Sequence, residues 1–117
     1  MKLELGMYVR TEWGTIQKIK EYRNYCKSRE DEEEVYYLNI NQSYQEFEKI
    51  IKASHSLLGD DKEDGIIEVG DYVNGSKVNI IENEFIYFDT GHSIHYEYIE
   101  TIVTKEQFEA MQYEVVE

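Results

Sequence analysis

Histidines and carboxylates are the residues of this sequence that could hold a metal ion. His92 and His95 are three positions apart, and Glu97 is the nearest carboxylate. In a strand, that spacing places the two imidazoles on opposite faces, which is poor geometry for a shared metal. A loop could bring them together, but no cysteine or further histidine lies nearby in the sequence as a third ligand. We therefore expect a hairpin loop after residues 89–91 and no metal site.

Two runs of acidic residues, 30–34 and 60–65, have the composition of loose calcium ligands. The first lacks the alternating ligands and central glycine of an EF-hand loop. The second contains Lys62 and lacks the closing glutamate. Both are therefore expected to be solvent-exposed charge, the first at the tip of a polar loop over 23–34 and the second in a linker over 59–65.

A nucleophilic enzyme needs a serine or cysteine held against a histidine. Cys26 lies in a charged segment beside Arg23 and Lys27, and no signature connects it to His55. Ser54 is adjacent to His55 in the chain, which is not a triad arrangement. The sequence contains no G-x-S-x-G, P-loop or G-x-G-x-x-G motif. We expect a protein without enzymatic activity and without a cofactor.

Aromatic side chains, mostly tyrosine, make up 14% of the chain. Because neighbours on a strand point to opposite faces, we expect outward rings among the tyrosines. The positions in question are Tyr22, Tyr25, Tyr36 or Tyr37, and Tyr96 or Tyr98. Tyrosine is favoured at protein interfaces, and it also covers the undersized cores of small β proteins. Both interpretations stay open at this point.

The charge is strongly negative and unevenly distributed. The chain has 12 Lys and Arg against 25 Asp and Glu, a net charge of −13. Residues 66–117 hold only Lys77 and Lys105 against 11 carboxylates, a net −9. Such a surface repels nucleic acid and attracts basic proteins. The residues expected to contact a basic partner are Glu82, Glu84, Asp89, Tyr96, Glu97, Tyr98 and Glu100. The alternative is that the acidity only keeps a small protein in solution.

The length and the cysteine content limit the class of protein. A chain of 117 residues forms one domain or two very small ones. A single cysteine cannot form an internal disulfide, which favours a reducing compartment. The N-terminus is a poor signal peptide because Glu4 and Arg10 bracket a short apolar run. No stretch approaches the roughly 20 apolar residues of a membrane span. We expect a soluble cytoplasmic protein that makes no membrane contact.

One sequence pattern occurs twice. Residues 3–19 and 67–80 share an apolar-Glu-apolar-Gly-x-Tyr-Val pattern, followed by a turn and a second strand. Gly6 aligns with Gly70, and each glycine is expected to mark a turn or bulge before its strand. The pair Asn74-Gly75 predicts a two-residue hairpin turn, because both positions of a type I′ turn need positive φ.

The repeat continues more weakly. Residues 35–39 match residues 85–89, and residues 50–54 match a segment near Thr101. A duplication explains these matches, and chance similarity between short β-rich segments is the alternative. A segment at 41–53 is ambiguous: Ser43 begins a capping-box pattern, which favours a short helix leading into a strand near Ile50.

A second capping box, at Thr104 and Gln107, predicts a short helix that runs through about Met111. Ser54 is the corresponding helix cap expected in the first copy. Each copy therefore reads as strand, turn, three strands, helical turn and strand.

That order resembles small SH3-like barrels, including their KOW and Tudor-type relatives. The resemblance implies a mainly β fold of two tandem SH3-like small barrels packed together, with short helical turns. The halves are expected at 1–66 and 67–117. Their last strands are expected at 66–69 and 113–116.

The segments IIEVGDYVNGSKV and IETIVTKEQFEAMQYEV, within residues 66–117, resemble small accessory proteins encoded by phages and prophages of Gram-positive bacteria. The resemblance implies a genomic setting and no catalytic residues. Small host-takeover and anti-defence proteins that bind a bacterial protein belong to that setting.

The sequence therefore predicts a non-enzymatic binding protein that inhibits a basic host protein which handles nucleic acid, for example a defence nuclease. It is not expected to bind nucleic acid directly, and a homo-oligomer is compatible with this role. One alternative is a protein that sequesters a small molecule such as a nucleotide, for which Arg10, Lys18, Lys20 or Arg23 would supply the cations. Another is a structural or assembly accessory of a virion or replication complex.

Overall fold

The computed structural model describes residues 2–41, 43–59 and 64–111. The chain divides into two compact units, Met1–Ile66 and Ile67–Glu117, here called unit 1 and unit 2. Strands account for 49% of the described residues and helices for 11%, which confirms the expectation of a mainly β protein. Within the described residues, no helix is long and apolar enough to cross a membrane.

Unit 1 is built from five antiparallel strands. They are β1 (Tyr8–Thr11), β2 (Ile16–Lys18), β3 (Tyr25–Glu30), β4 (Glu33–Asn41) and β5 (Glu46–Ser54), and a 3₁₀ turn at Tyr22–Asn24 leads into β3. They form one sheet in the order β2-β1-β5-β4-β3. Alternation along β4 buries Tyr36 and Leu38 against Val9 and Ile50. This side of the sheet forms the hydrophobic core of unit 1.

The described part of unit 2 contains five further strands. They are β6 (Tyr72–Val73), β7 (Ser76–Glu82), β8 (Phe85–Phe88), β9 (Ser93–His95) and β10 (Ile102–Val103). A 3₁₀ turn at Tyr96–Tyr98 precedes β10, and helix α1 (Lys105–Ala110) follows it. The sheet order is β10-β6-β7-β8-β9. Alternation along β8 buries Ile86 and Phe88 and leaves Phe85 and Tyr87 exposed.

Both units begin with the same hairpin. The Gly6 N–H donates to the Ile19 carbonyl at 2.7 Å, and the Gly70 N–H donates to the Val78 carbonyl at 3.0 Å. In each hairpin, the N–H of that partner donates back, at 2.8 Å, to the carbonyl of the residue after the glycine. The two glycines have φ of 92° and 98°, values that glycine adopts without steric cost. The aligned glycines therefore occupy equivalent places, each before the first strand of its unit.

Strand register tests the weaker matches of the repeat. Ser54 lies opposite Tyr8 on β1, and Val103 lies opposite Tyr72 on β6. Residues 50–54, in β5, therefore correspond to residues 99–103, which end in β10. The match of residues 35–39 to 85–89 is wrong, because the first segment lies in the fourth strand of unit 1 and the second lies in and just after the third strand of unit 2.

Neither sheet closes into a barrel. In the described part of unit 1, no ladder joins β2 to β3, which the 3₁₀ turn Tyr22–Asn24 separates. In the described part of unit 2, no ladder joins β9 to β10, which the 3₁₀ turn Tyr96–Tyr98 separates. The closed form of the predicted barrels is therefore corrected to two open sheets, because the first and last strands of each sheet order are not paired with each other.

The polar loop expected over residues 23–34 is wrong. Most of it is a hairpin, in which β3 and β4 are joined by Asp31 and Glu32 with φ of 49° and 68°. Both faces of this hairpin are exposed from Cys26 to Glu34. Its sequence therefore lacks the alternation of apolar and polar residues that predicts a strand. Opposite charges face each other instead, with Lys27 Nζ at 2.9 Å from Glu34 Oε1.

In the ambiguous segment 41–53, the strand expected near Ile50 is confirmed, but the short helix expected before it is wrong, because β5 already begins at Glu46 and pairs with both β1 and β4. Tyr44 and Phe47 have the spacing of residues on one face of a helix. Both side chains are exposed, so they do not form an apolar face that packs against the core. Ser54 ends β5, and its Oγ accepts from the Ser56 N–H at 3.1 Å.

The two last strands have different outcomes. Residues 66–69 form no strand: Ile66 and Ile67 are buried, and a turn follows at 69–70. The last strand expected at 113–116 lies outside the described residues.

Two local predictions in unit 2 are confirmed. Asn74 and Gly75 have φ of 50° and 84°, as a two-residue turn between β6 and β7 requires. Thr104 is the N-cap of α1: its side chain accepts from the Gln107 N–H at 3.3 Å, and Gln107 Oε1 accepts from the Thr104 N–H at 3.1 Å.

An ion pair connects α1 to the turn before β6. Lys105 Nζ lies 2.7 Å from Glu68 Oε1, and this hydrogen bond raises the pKa of Lys105 above its usual 10.5. A raised lysine pKa stabilises the folded state fully below the unfolded-state value, and the benefit is lost as pH rises through the folded-state value.

We therefore expect Lys105→Met to lower the free energy of unfolding by at most about 1 kcal/mol at pH 7, as for a largely exposed pair. The difference between the wild type and Lys105→Met should shrink above about pH 10.5. Urea unfolding at pH 7, 9 and 11 measures both. A difference that is the same at all three pH values would contradict the assigned role of the ion pair.

Candidate protein-binding surface

The outer face of β7, β8 and β9 carries apolar side chains that the core does not use. Phe85 and Tyr87 alternate with the buried Ile86 and Phe88, and they remain 41% and 39% exposed. Ile80, opposite Tyr87 on β7, is 49% exposed. Large exposed apolar side chains grouped on one face are typical of interaction surfaces.

A second row crosses the same face. Glu82 lies opposite Phe85 on the neighbouring strand, and Phe85 lies opposite His95 on the strand beyond. Directly opposite residues project from the same side of a sheet. The Phe85 and His95 rings meet edge to face, with their centroids 5.1 Å apart. The apolar patch is therefore continuous with the end of β9.

His95 joins this patch to two carboxylates. Its Nε2 lies 3.2 Å from Glu84 Oε2, and its Nδ1 accepts from the Glu97 N–H at 3.3 Å. Since Nδ1 is an acceptor, the neutral imidazole carries its proton on Nε2 and donates it to Glu84. The Glu97 carboxylate lies 3.7 Å from Nδ1, and the Tyr96 ring is 4.5 Å from the imidazole. The imidazole thus hydrogen-bonds to the Glu84 carboxylate at the rim of the aromatic patch, and the Glu97 carboxylate lies close beside the ring.

We call this surface the acidic-aromatic face. It consists of Ile80, Glu82, Glu84, Phe85, Tyr87, His95, Tyr96 and Glu97. Exposed apolar side chains run along this face, and its carboxylates are grouped at the end that holds Phe85 and His95. Protein interfaces likewise combine an apolar centre with polar groups at the rim.

The structure brings together some of the residues expected to bind a partner. Glu82, Glu84, Tyr96 and Glu97 lie on or beside the acidic-aromatic face. Asp89, Tyr98 and Glu100 lie at other turns of unit 2.

Tyr98 and Glu100 lie at the β6–β7 turn. Asn74 donates its amide to the Tyr98 carbonyl at 2.8 Å, and its Oδ1 accepts from the Glu100 N–H at 2.8 Å. Asp89 lies in the β8–β9 turn, where its N–H donates to the Lys77 carbonyl at 3.2 Å. These residues are exposed, but they are not part of the face.

Sequence reasoning missed the apolar centre of the face. Alternation in the FIYF segment at 85–88 was the available signal, because it requires two of the four residues to point outward. From the sequence alone, His95 is a candidate only for metal binding. Among the described residues, no group of three or more His, Cys, Asp or Glu side chains is placed to hold a metal ion.

The cations expected to bind a nucleotide in unit 1 have other contacts. Arg10 is fully buried, and its Nη1 donates to the Ile66 carbonyl at 3.1 Å. Lys18 Nζ lies 5.5 Å from the centroid of the Tyr8 ring. Arg23 pairs with Glu21 at the surface. These contacts do not gather the three side chains around a common anion.

Comparison of the chain with protein-family models, curated proteins and solved structures finds no match. The resemblances to phage accessory proteins and to SH3-like barrels therefore stay predictions.

Proposed function

We propose that this chain is a non-enzymatic binding protein whose acidic-aromatic face binds a basic surface of a protein that handles nucleic acid. The observation that carries the proposal is the arrangement around His95. One imidazole contacts two carboxylates and two aromatic rings, all at the edge of an exposed apolar patch. A partner that buries Phe85 would necessarily place its own polar groups near Glu84 and Glu97.

The charge of unit 2 determines what those polar groups are. A net charge of −9 over residues 66–117 attracts a basic surface and repels an acidic one. Basic surfaces with exposed arginine and lysine are characteristic of proteins that bind nucleic-acid phosphates. The carboxylates at the rim of the face would bind the partner's basic surface at the positions where nucleic-acid phosphates otherwise bind. The partner would then be blocked from its nucleic acid.

The biological setting extends this proposal. Small phage and prophage accessory proteins, which residues 66–117 resemble, include inhibitors of bacterial defence. A defence nuclease of the host fits both the setting and the charge. The protein would act in the cytoplasm, where that partner lies.

The strand arrangement supports an SH3-like ancestry for both units. In unit 2 the order is fifth, first, second, third and fourth strand, with a 3₁₀ turn before the fifth, as in SH3-like barrels. Unit 1 keeps the same cyclic neighbours but opens between its second and third strands. Small barrels of the KOW and Tudor type are binding modules, which agrees with a non-enzymatic role.

Reversing two charges on the face tests the proposal. The tagged full chain would be used to capture proteins from a nuclease-treated bacterial lysate at low salt. We expect one basic nucleic-acid-binding protein, which added DNA displaces. The double variant Glu84→Lys with Glu97→Lys should lose at least about 99% of the captured partner, because close charge pairs at interfaces contribute several kcal/mol.

A matched control separates the face from net charge. Glu32→Lys with Glu33→Lys changes the charge by the same amount at the exposed tip of the β3–β4 hairpin, and it should capture the partner normally. Both double variants should keep the melting temperature within a few degrees, since the changed residues are exposed. Equal capture by wild type and Glu84→Lys/Glu97→Lys, or equal loss in both double variants, would overturn the proposal.

A further inference from the structure

A groove of about 450 Å³ lies on unit 2 where α1 meets β6 and β7. It is lined by Gly70, Tyr72, Lys77, Lys105, Phe108 and Glu109. This volume falls within the range of small-molecule sites, roughly 300 to 1,000 Å³. None of its lining residues belongs to the acidic-aromatic face, so the groove needs an explanation of its own.

Aromatic rings form one side of the groove. The Tyr72 and Phe108 rings stack with their centroids 4.3 Å apart and their planes at 22°. Both side chains are only partly buried. A Cβ atom at Gly70 would lie 3.6 Å from Lys105 Cδ, so the glycine leaves space beside that lysine. A flat ring can therefore lie against this pair of rings.

The cations of unit 2 form the other side. Lys77 and Lys105 are the only lysines or arginines in residues 67–117, and both line this groove. Glu68 accepts one hydrogen bond from Lys105 Nζ at 2.7 Å. An ammonium group has three N–H donors, so Lys105 keeps donors for another acceptor. Glu109 also lines the groove, so a bound anion would lie nearer to the two lysines than to that carboxylate.

The equivalent position in unit 1 shows what is special about unit 2. Lys18 lies opposite Tyr8, just as Lys77 lies opposite Tyr72. In unit 1 the lysine ammonium lies over the tyrosine ring. In unit 2 Phe108 of α1 stacks on the tyrosine instead, and Lys77 is exposed. Helix α1 thus adds both a ring and a second cation to the shared tyrosine–lysine pair.

We propose that this groove binds a small aromatic anion, whose flat ring lies against Tyr72 and Phe108 and whose phosphate or carboxylate accepts hydrogen bonds from Lys77 and Lys105. Stacking supplies the contact area, and charge-assisted hydrogen bonds fix the orientation. The site is independent of the acidic-aromatic face.

Titration of the full chain, followed by amide NMR, tests the site with defined probes. Adenosine monophosphate and indole-3-carboxylate represent the phosphate and the carboxylate form of the ligand. Inorganic phosphate and adenosine each supply one half of the first probe. We expect at least one aromatic anion to shift the amide signals of Tyr72, Lys77 and Phe108 in a saturable manner. Phosphate alone and adenosine alone should bind at least about tenfold more weakly, since each makes only part of the contacts.

Two substitutions decide the location. Lys77→Gln should weaken binding by about tenfold or more, because it removes one charge-assisted hydrogen bond. Lys18→Gln, at the equivalent register position of unit 1, should leave binding unchanged. Both lysines are exposed, so folding is retained and melting temperatures verify it. The proposal would be overturned if neither aromatic anion gave saturable shifts up to about 10 mM, the upper limit of a useful titration. Equal weakening of binding by the two substitutions would also overturn it.

Discussion

Replacing Asp71 with alanine is expected to lower the free energy of unfolding by about 3 kcal/mol. Asp71 is fully buried, and its carboxylate accepts from two backbone N–H groups. Oδ2 accepts from Glu68 at 2.8 Å, and Oδ1 accepts from Lys105, the first residue of α1, at 2.9 Å. Alanine leaves both donors without this acceptor, and each buried orphan costs about 1 to 3 kcal/mol.

A methionine at the same position is the informative control. Unit 1 has Met7 at the equivalent place, and its sulfur accepts from the Glu4 N–H at 3.3 Å. Asp71→Met can therefore restore the bond to Glu68, but it has no second acceptor for Lys105. We expect it to lie between wild type and Asp71→Ala in urea unfolding. A loss of less than about 1 kcal/mol for Asp71→Ala would show that α1 does not depend on this carboxylate.

Replacing Arg10 with alanine is expected to cost about 4 kcal/mol of the free energy of unfolding. Val9 and Arg10 are neighbours on β1 and therefore point to opposite faces, yet neither is exposed. The guanidinium donates to the carbonyl of Ile66, the last residue of unit 1. Alanine removes this bond and also leaves a cavity the size of the arginine side chain.

A comparison with Arg10→Met separates packing from hydrogen bonding. Methionine keeps most of the apolar stem, so it should recover about half of the loss. Chemical unfolding of the three proteins, monitored by circular dichroism, measures the difference. Full stability of Arg10→Met would mean that the guanidinium bond adds nothing net, as happens for some buried charges.

The parts of the fold that could be predicted from the sequence depend on local backbone chemistry. Gly6 and Gly70 need positive φ, as do both residues of the Asn74-Gly75 turn, and glycine or asparagine at a strand boundary reveals this requirement. Thr104 and Gln107 satisfy each other across the first turn of α1. Each of these features involves residues close together in the chain, so one sequence suffices to find them.

The parts that could not be predicted depend on contacts between distant residues. Arginine is normally a surface residue, and only the fold shows Arg10 buried beneath a carbonyl 56 positions away. Tyr44 and Phe47 carried a helical spacing that pairing with two strands overrode. The same limit applies to the acidic-aromatic face. Its carboxylates stand out in the composition, but its aromatic centre depends on the register of β7, β8 and β9.

Among the described residues, the two open sheets leave four strands with no backbone pairing on one side, and such edges are a route to aggregation. Three of them, β2, β9 and β10, are no longer than three residues and offer little template for another chain. The fourth, β3, has six residues and carries Lys27 and Arg29 on an otherwise acidic molecule. Charge repulsion between copies of the protein opposes pairing of this longer edge with an edge of another copy. That repulsion vanishes near the isoelectric point of about 4.6, so acidic conditions are where fibre-like stacking of whole molecules becomes favourable.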